Sequence, residues 1–171
     1  MANNTSYTST TKLGDKPYFD LVHISGIVCL STSAICSTIV ICLTLFWKPR
    51  ANTPRLFFKL PIGERLIFHL AIISVLYCCS HGADHLYILI SRDFPPDAVC
   101  TGFGFVVMIF AVAYQNMNLL IALNAFAMVV LQWKFGMGKY DWKLICACVG
   151  PAFVWSVALL ASGHMGQSND W

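Results

Sequence analysis

The sequence predicts an all-α membrane protein with four transmembrane helices, and three observations carry that expectation. The 171 residues are 57% hydrophobic and only 11% charged, with a mean hydropathy of +0.66. A soluble domain of this length needs more charge to cover its surface, so the apolar excess points to a bilayer as solvent. The apolar side chains are gathered into four blocks, each long enough for the ~20 residues that a helix needs to cross hydrocarbon. No Lys or Arg falls in the middle of any block. Lipid leaves backbone groups to be satisfied within each span, which makes the blocks helices, and they lack the alternation of a strand.

Residues 1–20 form a polar tail in which Lys12 and Lys16 balance Asp15 and Asp20. It carries two overlapping Asn-x-Ser/Thr glycosylation acceptors, Asn3 and Asn4, and has no apolar core of the kind a signal peptide needs. The first span covers residues 21–47 and is expected to insert as its own signal. A loop at 48–65 is punctuated by Pro49, Pro54 and Pro61 and holds Lys48, Arg50, Arg55 and Lys59, with Arg65 where it meets the second span. The second span is 66–90. The loop at 91–97 sets Arg92 against Asp93 and Asp97 around Pro95 and Pro96. The third span, 98–133, is followed by a loop at 134–141 with Lys134 and Lys139, and Lys143 begins the fourth span, 142–162. Residues 163–171 start a further loop. Basic loops stay on the cytosolic side, so the first and third loops are expected inside and the N-terminal tail outside, at the plasma membrane. Trp47, Trp133 and Trp142 at span ends suit the interfacial belts. The basic residues serve this topology and border lipid, which leaves nucleic acid no binding surface.

Ionisable groups inside a span are costly and are functional candidates by default. His81, Asp84 and His85 lie three and four residues apart, on one side of the second helix. They sit about 22–29 Å from Leu66 along the axis, in the outer half. They read either as a ligand-binding group open to the outside or as an internal hydrogen-bond network. A His pair at this spacing with an Asp can also hold a metal, but no third and fourth ligands are in view, so no metal or other cofactor is expected. His69, near the inner end, reads as a packing residue. The third span carries Tyr114, Gln115, Asn116, Asn118 and Asn124. Amides in hydrocarbon need partners, so these should face other helices. Gln115 and Asn118 share a face and Asn116 points elsewhere, which places the helix centrally in a bundle larger than four. Pro151 lies inside the fourth span, a tolerated position in membranes. Seven of the eight cysteines fall inside apolar runs, and Cys100 lies at a span edge. No nucleophile–base pair, phosphate loop or pair of carboxylates occurs, so an enzyme is not expected.

The third span opens with Cys100 and closes with Ile121-Ala122-Leu123-Asn124-Ala125-Phe126, and the second contains GERLIFHLAIISVLY from Gly63. In these features the chain, from about Leu21 to Trp171, resembles helices one to four of seven-helix G-protein-coupled receptors. The cAMP-receptor-like and glucose-receptor-like branch, related to the secretin-like receptors, is the nearest in pattern. Asn124-Ala125-Phe126 stands where rhodopsin-like receptors have an acidic-Arg-Tyr triplet, and Ser74 stands where they have an acidic residue. The resemblance implies an unidentified extracellular ligand, a heterotrimeric G protein as partner, and a disulfide from Cys100 to a cysteine of the second outer loop. No cysteine follows Cys148 in these 171 residues, and three helices of such a receptor are missing, so the chain is expected to be a fragment or a truncated form. Gln115, Asn118 and Asn124 would then belong to its helix packing and switching. The alternative is a complete four-helix protein acting as a channel or transporter subunit or as a scaffold.

Overall fold

The computed structural model describes residues 18–46, 60–93, 95–133, 136, 141–163 and 165. Asn3, Asn4, Lys48, Arg50, Arg55, Lys59, Lys134 and Lys139 lie outside those residues. Four helices follow in order: α1 (Phe19–Phe46), α2 (Ile62–Ser91), α3 (Asp97–Val129) and α4 (Trp142–Ala161). Each is long and apolar enough to cross a membrane, from about 30 Å for α4 to about 50 Å for α3 at 1.5 Å per residue. This is the all-helical, multi-pass architecture that the composition demands.

The helix ends differ from the expected span bounds, and several of the differences have a local cause. α2 begins four residues before Leu66 because Pro61 takes the N-cap place at φ −52°, where its lacking N–H costs nothing. Pro96 does the same for α3. α2 stops where Arg92 turns left-handed at φ 56° and closes its N–H on the Ile88 carbonyl. α3 ends at Val129, short of the expected Trp133. There Gln132 adopts φ 53° and folds the Trp133 N–H back onto the Ala127 carbonyl at 2.9 Å.

α1 packs along α2, α2 on α3, and α3 on α4. The close-packed core lies among the last three of these, where Leu66, Ala113, Met117, Leu144, Cys148 and Ala152 are almost wholly buried. Ala113, Cys148, Ala152 and Ser156 are small, and small side chains let helices approach until dispersion and hydrogen bonds hold them in lipid. Two bonds join α3 to α4 there: Asn116 Nδ2 donates to the Cys148 carbonyl at 3.0 Å, and Cys148 Sγ donates to the Ala113 carbonyl at 2.9 Å. The first sits beside the Ala147 carbonyl, which loses its helical donor to the ring of Pro151. Outward faces carry large apolar side chains such as Ile35, Leu119, Val154 and Trp155, the surface that meets lipid.

Candidate functional site

Polar side chains gather at two ends of this bundle. At the end marked by Phe19 and Ser91, a ladder of rings runs inward from the surface. Arg92 pairs with Asp20 at 2.9 Å and lies 5.3 Å over the ring of Phe19, which in turn sits 4.6 Å from the imidazole of His23. His23 Nδ1 is 2.9 Å from His85 Nδ1, joining α1 to α2. The His85 ring stacks on that of His81, 4.8 Å between centroids and 24° between planes. His81 Nδ1 is 3.0 Å from the Tyr77 hydroxyl, and the Tyr77 ring stacks at 6.4 Å on Tyr114 of α3. On α2 this ladder spans from about 9 Å to about 21 Å below Ser91, counted at 1.5 Å per residue.

The local reasons are plain. Tyr77, His81 and His85 are spaced by four, so one helical face carries all three. His85 comes close to α1 because Gly26 leaves room. A Cβ on Gly26 would stand 3.2 Å from His85 Nε2, tighter than ordinary van der Waals contact. Ser37 donates to Ser74 at 2.9 Å further along the same helix pair and fixes its register. The inner end of the ladder opens on a groove of about 290 Å³ lined by Tyr77, Ala111, Val112, Tyr114 and Gln115.

The second polar site lies at the opposite end. Arg65 Nη1 of α2 meets Asp141 Oδ1, the residue before α4, at 2.6 Å. Asp141 is held in a left-handed conformation at φ 57° and is fully buried. Among the described residues, Arg65 Nε and Asp141 Oδ2 are buried without hydrogen-bond partners, and the pair meets through the one contact given.

Of the residues singled out in the sequence, His81 and His85 stand together in the ladder, with Asp84 half-buried beside them on α2. Cys100 is half-buried with a free thiol at the start of α3. Gln115 is exposed, and no described residue hydrogen-bonds its amide. Asn118 Nδ2 donates to the Tyr114 carbonyl of its own helix at 3.1 Å. Asn124 is buried, with Nδ2 3.5 Å from Met128 Sδ and Oδ1 unpartnered. The amide that bridges helices is Asn116. Sequence reasoning missed His23, Asp141 and Gly26. The signals were there: His23 is the lone imidazole of the first apolar block, and Asp141 is the acid in a run with Lys134, Lys139 and Lys143.

Among the described residues, no cluster of three or more His, Cys, Asp or Glu side chains is arranged to hold a metal ion. The ladder is instead a chain of imidazole and phenol rings in contact, reaching from a charged rim to the middle of the bundle. No protein-family model, known protein or solved structure matches the chain.

Proposed function

We propose that this chain forms the first four helices of a seven-helix G-protein-coupled receptor, resembling the cAMP-receptor-like branch. The Phe19 end faces outside and takes the ligand at His81, Asp84 and His85, to which His23 is added. The Asp141 end faces the cytosol, where a complete receptor engages its heterotrimeric G protein. Cys100 at the outer end of α3 pairs with a cysteine of the following outer loop.

The observation that carries this reading is the uncovered side of α3. Gln115 lies near the middle of the helix, exposed and without a partner among the described residues, beside the open groove and the half-buried Tyr114. An amide facing hydrocarbon with nothing to bond is costly, and helices in membranes cover such groups with other helices. A bundle with α3 at its centre meets that need; a bundle ending at α4 leaves it open.

The test is to read the coding transcript past the codon for Trp171. Three further apolar spans, with a cysteine in the loop before the first of them, are expected. A stop codon at that point in translated message would sink the receptor reading. It would favour the four-helix subunit or scaffold, with Gln115 then covered by another chain.

A further inference from the structure

The contact between His23 and His85 has a restricted proton count. Two ring nitrogens 2.9 Å apart share one hydrogen: one Nδ1 donates and the other offers its lone pair. The accepting ring therefore keeps its hydrogen on Nε2. The Nε2 edge of His85 rests against Gly26, which leaves the Nε2 of half-buried His23 as the edge open to a new proton. A proton given up by hydronium to that nitrogen releases water and makes His23 an imidazolium. Its Nδ1–H then donates a charge-assisted bond to neutral His85, stronger than the neutral one. A second proton has only the His85 lone pair to take, and that lone pair already holds the two rings together.

Charged and titratable neighbours favour the first step and oppose the second. From α1, Asp20 lies one turn from His23 at the rim, already bound to Arg92 of α2. Asp84 of α2 adds a carboxylate beside the ladder, and Cys100 stands at the outer end of α3. The ring of His81, stacked at 4.8 Å on His85, opposes a second cation there and is itself tied to the Tyr77 hydroxyl. Tyr114 of α3 closes the inner end.

We infer that the His23–His85 pair is a binding site for a single hydrogen ion, which clasps the outer end of α1 to α2, and that a second proton opens the clasp. The inference deepens the receptor reading by naming the proton as a ligand of its outer site, and it rests on that reading only for the side from which the proton arrives.

The test is ring-nitrogen NMR of the whole chain, ¹⁵N-labelled at histidine and held in lipid nanodiscs, titrated between about pH 8 and about pH 5, the range of ordinary imidazoles. His23 and His85 are expected to show unlike Nδ1 signals, one donor and one acceptor, and to take up protons in two separate steps as a coupled pair does. His23→Gln should leave His85 titrating as a single ring, and Gly26→Ala, which displaces the His85 ring while keeping both imidazoles, should merge the two steps. Identical, independent curves for both rings in the wild-type chain, unmoved by either substitution, would overturn the site. A stop codon after Trp171 would remove the receptor and leave this titration standing, so the two readings fail separately.

Discussion

Each end of the bundle carries an arginine–aspartate pair, exposed at the Phe19 end and buried at the Asp141 end, and only the Phe19 end adds a run of rings. At the Phe19 end, α1 meets α2 through a half-exposed Arg92–Asp20 ion pair at the rim and, further in, the contact between the His23 and His85 rings, with Gly26 giving up volume to admit a ring. At the Asp141 end, α2 meets the start of α4 through one full ion pair, set beside a core of Leu66, Leu144, Cys148 and Ala152 without room to spare. In the first arrangement the proposed clasp takes up one proton. The second does not tolerate the loss of either charge, because what remains is an ion without its counterpart in a medium that cannot solvate it. A membrane bundle can therefore be adaptable at one end and fixed at the other, using the same α2 for both.

Four substitutions would break or sharpen this contrast. The largest effect is expected at Asp141. Asp141→Ala strands Arg65 and should cost about 3–5 kcal/mol in reversible unfolding from bicelles. The double variant Arg65→Met with Asp141→Leu should recover much of that loss. Equal stability of the single and double variants would mean that the pair is not buried as described. Ala152→Leu comes next: it adds three carbons at a fully buried position between α3 and α4, and about 1–3 kcal/mol of destabilisation is expected by the same measurement. A smaller cost, about 0.5–1.5 kcal/mol, is expected of Gly26→Ala, because the displaced atoms belong to the movable His85 ring, which leaves its rotamer well. If it costs as much as Ala152→Leu, the Phe19 end is as rigid as the other. The smallest is Ser37→Ala, which removes one hydrogen bond to Ser74 and should cost about 0.6 kcal/mol, the mean for such bonds between membrane helices. Its double-mutant cycle with Ser74→Ala isolates the bond itself.

Much of the fold was legible in the sequence because lipid enforces a simple rule: a crossing segment is apolar throughout, and its length is set by the bilayer. The ends were less so. Pro61 and Pro96 read as loop breakers by composition, whereas in place they start helices, a distinction that depends on which side of the ring the chain continues. The candidate site was half legible. His81 and His85 follow from a spacing of four on one helix, which sequence periodicity displays. His23 is 62 residues from His85, and only the packing of α1 on α2 brings them together. Asn116 stands at a different angle on the helix from Gln115 and Asn118, and its acceptor is a backbone carbonyl, which no side-chain pattern marks. Arg65 counted as one more basic residue of an inner loop; its partner arrives 76 residues later.

That interval has a consequence for how the protein is made. A ribosome adding about 5–20 residues per second takes about 4–15 s to pass from Arg65 to Asp141. The rest of α2 and the whole of α3 are made within that interval, before Asp141 exists to meet Arg65. The contact between α2 and the start of α4 thus closes only after the helix between them has been synthesised.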